Sequence, residues 1–220
     1  VPDRDVPVDI ADHLLLDHIL PLVLARRGHL VLHGAVLALG GSGVVLLGQS
    51  GTGKSTLSAY AWRQGWDLLG DDGAVVHRPG SVEPSVEATY GTLRLSAATS
   101  ELLDLPPGQG EQVLGKHRLQ RLGGRAVRRG AVALRALVFL EAADGRAEAT
   151  VGGMRGARAH AALFGAAFNP DLRDGVAVAA TMEQLADLVE RVSVVRLKVP
   201  RGLDGLHQAL DALSGLVDRG

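Results

Sequence analysis

The sequence has no cysteine, which removes disulfide frameworks, thiolate metal sites and cysteine nucleophiles and fits a cytoplasmic setting. Lysine is almost missing as well: Lys54, Lys116 and Lys198 stand against twenty arginines, so each lysine calls for a reason. No apolar run approaches the ~20 residues needed to span a bilayer. The opening VPDRDVPVDI also lacks the basic-then-apolar order of a signal peptide, so no membrane partner is expected. A formal net charge of -1 leaves no bulk positive field to hold nucleic acid, and none is expected as a partner.

What is present suits one sizeable core: 220 residues, 46% of them hydrophobic. A single domain over 1–220 is expected, with a leading helix in 1–28 and a nucleotide-binding core in 29–78. Ile10, Leu14, Leu15, His18, Ile19, Leu22 and Val23 recur at helical spacing over 9–27, with Pro21 as a kink and Gly28 as the end. His29 to Leu39 and Val44 to Leu47 read as two strands joined by a four-residue turn, Gly40-Gly41-Ser42-Gly43. A helix from Lys54 to Gly65 and a strand over Trp66–Leu69 follow, then Gly70-Asp71-Asp72-Gly73, Ala74–His77 and a turn at Arg78-Pro79-Gly80.

Farther on, Leu93–Leu95 and Ala133–Glu141 read as strands, and the Gly- and Arg-rich stretch from Pro106 to Gly130 reads as irregular. Helices are expected over Gly156–Phe168, Met182–Arg191 and Leu203–Val217, with a strand at Ser193–Val199. The pattern predicts an α/β fold.

Gly48-Gln49-Ser50-Gly51-Thr52-Gly53-Lys54-Ser55 follows an apolar strand and opens a helix. Glycines at these positions let backbone N–H groups point at phosphate oxygens, and the helix start adds a favourable dipole. Lys54 supplies a compact charge for the β- and γ-phosphates, in a chain that otherwise prefers arginine. Ser55 is the expected Mg²⁺ ligand, and Thr56 adds a hydroxyl near the α-phosphate. ATP with Mg²⁺ is the expected cofactor pair.

Asp71 and Asp72 come one helix and one strand later, where a parallel βαβ-like arrangement brings them to the γ-phosphate. One aspartate, Asp71, is taken as a metal ligand beside Ser55, the other as acceptor of a hydroxyl proton. The same four residues also suit a plain polar turn. His33 interrupts an apolar strand, a place where a histidine is more often structural. Lys116 and Arg118, in Gly-Lys-His-Arg-Leu, are candidates for phosphate or carboxylate contact, although a basic loop residue is usually just solvated.

Taken together, LHGAVLALGGSGVVLLGQSGTGKSTLSAYAWRQGWDLLGDD resembles the core of the HPr kinase/phosphorylase family over about a fifth of the chain. The resemblance implies a P-loop kinase core of the PEP carboxykinase-like type, a mixed sheet flanked by helices, and a homo-oligomer. It also implies that His33, Asp71 and Asp72 join Lys54 in catalysis, the histidine assisting the aspartate that activates the acceptor hydroxyl. An upstream regulatory domain and a later Glu-Ile-Arg-Gly-like signature are not found. The resemblance is therefore to compact relatives, including kinases that phosphorylate the C-terminal serine of a lasso-peptide precursor.

Other acceptors fit the same machinery: free serine, HPr or another small molecule. A P-loop ATPase or switch needs a second apolar run ending in an acid, for which Val138-Phe139-Leu140-Glu141 is the near match. Neither a Leu-Ser-Gly-Gly-Gln-like nor an Asn-Lys-x-Asp motif is present, which removes ABC-type ATPases and GTPases.

Overall fold

The computed structural model describes residues 11, 13–77, 83–105, 109–113, 115–119, 121–122, 125–143, 148–168 and 172–218. Ile10 and the Arg78-Pro79-Gly80 turn lie outside them. The leading helix has a π-helical stretch, Leu14–Ile19, followed by α1, Leu20–Arg26. Pro21 has no N–H for the carbonyl four residues back, and the wider π turn comes immediately before it.

Strands β1 (Leu30–Leu32), β2 (Gly34–Leu39) and β3 (Ser42–Leu47) come next. The expected four-residue turn is two residues long: Leu39 pairs with Ser42, and only Gly40 and Gly41 lie between. Both have positive φ, 60° and 89°, the backbone a tight hairpin demands and glycine supplies without strain. The expected continuous strand from His29 is split by a bend at His33.

Helix α2 (Lys54–Arg63) and β4 (Asp67–Gly70) follow as expected, then β5 (Ala74–His77). Strand β6 (Ser85–Ala88), β7 (Leu93–Ser96) and α3 (Ala97–Leu102) come after them. The stretch expected to be irregular carries β8 (Gln109–Val113), β9 (Lys116–Leu119), β10 (Arg121–Leu122) and β11 (Arg125–Ala126). Cross-strand pairing with β7, which local glycine content does not reveal, organises the first two into a three-stranded sheet, β7-β9-β8.

Strand β12 (Val132–Ala142), β13 (Thr150–Gly153), α4 (Gly156–Ala166), α5 (Gly175–Arg191), β14 (Ser193–Val199) and α6 (Leu203–Val217) complete the described chain. Helix α4 stops short of Phe168 because the Ala167 and Phe168 backbone turns to β1, where the Phe168 N–H donates to the Val31 carbonyl at 2.9 Å. Helix α5 starts earlier than expected because the Asp174 carboxylate accepts from the N–H groups of Val176 and Ala177.

The large sheet runs β1-β5-β6-β12-β3-β2-β4, with β14 beside β12 and β13 beside β14. It is mixed: β12 is parallel to β3 and β14, whereas β2 is antiparallel to both β3 and β4. Along β3, Val44 and Leu46 enter one core with Leu57, Trp62, Leu206 and Leu213, while Val45 and Leu47 enter another with Leu163, Leu185 and Leu188. Helices α2 and α6 thus cover one face of the sheet and α4 and α5 the other. That two-sided burial is why β3 is apolar on both faces from Val44 to Leu47. The result is a mixed α/β fold with helices on both faces, as the sequence predicts.

Candidate phosphate-transfer site

The loop from β3 to α2 is built to bring backbone close. Gly48 has φ 138°, and a Cβ there would lie 3.0 Å from both the Leu140 carbonyl oxygen and Thr52 Oγ1. Gly51 and Gly53 have φ of 85° and 95°. The Thr52 hydroxyl donates to the Gln49 carbonyl at 2.9 Å, tying the loop to itself across Ser50 and Gly51. Gly53 caps α2, so Ser55 and Thr56 sit in the helix's first turn.

Lys54 is 8% exposed, and its Nζ donates to the carbonyls of Gly48 at 2.6 Å and Gln49 at 3.0 Å. Burial lowers its pKa; Asp72 and Asp71 oppose that shift and Lys116 adds to it. Both aspartates and Lys116 are therefore electrostatic neighbours of this ammonium.

Asp71 and Asp72 leave the end of β4. The expected approach to the loop holds in direction but not in adjacency: β3 and β4 point the same way with β2 between them. Asp71 is 4% exposed; its Oδ2 accepts from the Arg94 backbone N–H at 2.8 Å. Asp71 Oδ1 is buried with no hydrogen-bond partner among the described residues. Burial, then the neighbouring Asp72, raises the Asp71 pKa well above the ordinary range, with the Arg94 amide working against them. Asp72 is partly exposed, with the Tyr90 hydroxyl 3.5 Å from its Oδ2.

His33 sits at the bend between β1 and β2. Its Nδ1 lies 3.1 Å from the Asp72 carbonyl oxygen, and its ring packs edge-on to Phe168 with centroids 5.8 Å apart. The ring reaches solvent, yet the protein crowded around it lowers its pKa; Asp72 opposes that shift and Lys54 reinforces it.

Lys116 and Arg118 lie on β9, opposite Ser96 and Arg94 of β7. Directly paired residues share a face, and alternation sends Leu93, Leu95 and Leu119 to the core instead. Both cations act electrostatically on Asp17, and Lys116 also on Lys54 and Asp71. The rest of the basic stretch behaves differently. Arg125 donates to the carbonyls of Trp62, Gly65 and Trp66, and both Arg125 and Arg128 pair with Asp67. These two arginines tie the end of α2 to the start of β4.

Sequence reasoning missed a buried group beside the aspartates. Arg94 is 6% exposed and its guanidinium reaches Asp17 and His13 of the leading helix, which also contact each other. Burial and the Asp72 charge push the Asp17 pKa up to about 8, against the pull of Arg118 and Lys116. The signal was available: His13 and Asp17 are one helical turn apart, on either side of the apolar run Leu14–Leu16.

A glycine-lined loop at the start of a helix, with a lysine curled over it and two carboxylates beside it, defines a P-loop α/β protein. No family model and no curated protein matches the chain. Among solved structures it is similar to one described as the Hpr(Ser) kinase/phosphatase from Coxiella burnetii, at 14% identity and a TM-score of 0.43, over 86% of this chain and 99% of that one. Among the described residues no helix is long and apolar enough to cross a membrane.

Proposed function

We propose that this chain is an ATP- and Mg²⁺-dependent phosphotransferase that moves the γ-phosphoryl group to a seryl hydroxyl, and that its acceptor is the C-terminal serine of a lasso-peptide precursor. The reading is carried by the meeting of Lys54, Asp71, Asp72 and His33 at one end of the central strands. The loop amides from Gly51 to Ser55 and the Lys54 ammonium hold the triphosphate. Asp71 Oδ1, buried without a hydrogen-bond partner among the described residues, and the Ser55 hydroxyl would be the oxygens that hold Mg²⁺, which would neutralise phosphate charge there. Asp72, more open and steadied through its backbone by His33, takes the seryl proton as the serine oxygen bonds to the γ-phosphorus and the bond to the β-phosphate oxygen breaks.

Lys116 and Arg118 support a peptide acceptor, because two cations on one strand face, with Lys116 an electrostatic neighbour of Asp71, suit a terminal carboxylate. The switch reading is weakened by Glu141, whose Oε1 lies 2.8 Å from Arg196 Nε in an ion pair. The test is mass spectrometry after incubation with ATP·Mg²⁺ and serine-ended peptides, HPr or free serine. A phosphoryl mass gain on a peptide supports the reading; gain only on HPr or free serine moves the acceptor, and ADP release without any phosphorylated acceptor overturns the kinase.

A further inference from the structure

The phosphate loop has a second side, away from the aspartates. A cavity of about 230 Å³ opens there between Gly51–Gly53 and the turn from β14 into α6. Its apolar lining comes from Leu57, Leu140 and Leu206, all buried, and from Leu102, which is 43% exposed. Arg201 and Gly202 form the opposite wall. That wall is held tightly: a Cβ on Gly205 would lie 2.1 Å from the Pro200 carbonyl oxygen, so the first turn of α6 rests directly on the turn's backbone.

Thr56 also lines this cavity, and its hydroxyl lies 3.1 Å from that of Thr99. Lys54 and the aspartates mark where the terminal phosphate belongs, so a triphosphate laid along the loop runs from them past Ser55 and Thr56. Its nucleoside end then arrives at the cavity. A larger hollow of about 1120 Å³, along Arg135, Met154, His160 and Val194, includes none of these loop residues.

We propose that this cavity is the nucleoside subsite, taking the planar base against Leu102 and Leu206 with the Arg201 guanidinium over its other face. The inference rests on the phosphate-loop reading and adds which part of the chain recognises the base. An aromatic ring sandwiched between aliphatic carbon and a guanidinium gains both apolar burial and cation–π attraction. Leu102 is then an exposed leucine with a task, and Arg201 is a specificity residue distant from the transfer chemistry.

Calorimetric titration of the whole chain with Mg²⁺ and either ATP or inorganic tripolyphosphate separates the two halves of the site. ATP is expected to bind at least ten-fold tighter than tripolyphosphate (an order-of-magnitude figure). Arg201→Ala should weaken ATP by roughly ten-fold and leave tripolyphosphate unchanged. Leu102→Glu, at an exposed rim position, should do the same. Equal affinity of the unsubstituted chain for ATP and tripolyphosphate overturns the nucleoside subsite alone, as does Arg201→Ala weakening both ligands alike. Failure to bind tripolyphosphate overturns the phosphate-loop reading and the subsite with it.

Discussion

The backbone N–H of Arg94 holds Asp71 by one carboxylate oxygen, at 2.8 Å, and leaves the other oxygen buried without a partner among the described residues. An orphaned carboxylate oxygen in a dry place costs on the order of 1–3 kcal/mol unless something binds it. Asp71 is an electrostatic neighbour of Lys54, where the proposed metal–phosphate group would sit.

Substitutions should therefore separate binding from transfer. Lys54→Ala is expected to abolish binding of ATP in calorimetry. Asp72→Asn should leave that binding within a few-fold while lowering the transfer rate by about 10²–10⁴-fold, the usual worth of a positioned base. Full activity in Lys54→Ala would sink the P-loop assignment.

His33 carries a pH signature. Its pKa lies below the ordinary 6.5, so the neutral ring persists to lower pH than in a free histidine. Transfer that needs the neutral ring should fall only as pH drops below 6.5, and His33→Gln should remove that acid limb. A limb unchanged in His33→Gln assigns it to another group.

Asp17 predicts how stability itself depends on pH. Its carboxyl titrates near 8 when folded against an ordinary 3.8, so between those values the folded chain keeps a proton that the unfolded chain has released. Stability from this group is therefore greatest below the unfolded value and falls as pH rises toward the folded one, by at most about 1.4 kcal/mol per pH unit. Thermal melting followed across that window should show a declining midpoint, and Asp17→Asn should flatten it.

Gly48 tests the loop's packing. Its φ of 138° disfavours any side chain, and a Cβ would crowd Leu140 and Thr52. Gly48→Ala should cost roughly 1–3 kcal/mol of stability in denaturant unfolding and weaken tripolyphosphate binding. Gly51→Ala, where a Cβ meets nothing within 4 Å, should cost less. Equal losses at the two positions would refute the close-packing account.

Local patterning was enough to read α2, β14, α6 and the phosphate loop from the amino-acid order alone. Each rests on a short-range rule: helical or alternating spacing, a capping glycine, or a lysine at a set distance from glycines. Asp71, Asp72 and His33 were legible as candidates for the same reason, through their order along the chain.

The β7-β9-β8 sheet, the insertion of β2 between β3 and β4, and the Arg94 cluster were not legible, because each depends on partners far apart in sequence. Arg94 lies 77 residues from Asp17 and 23 from Asp71, and no periodicity encodes such meetings. The same is true of the cavity between the phosphate loop and Arg201. The sequence alone determined where the glycine-rich loop and its lysine lie, at Gly48–Ser55. Only the packing of the sheet and its helices decided which side chains surround it, since burial and charge pairing are properties of neighbours in space.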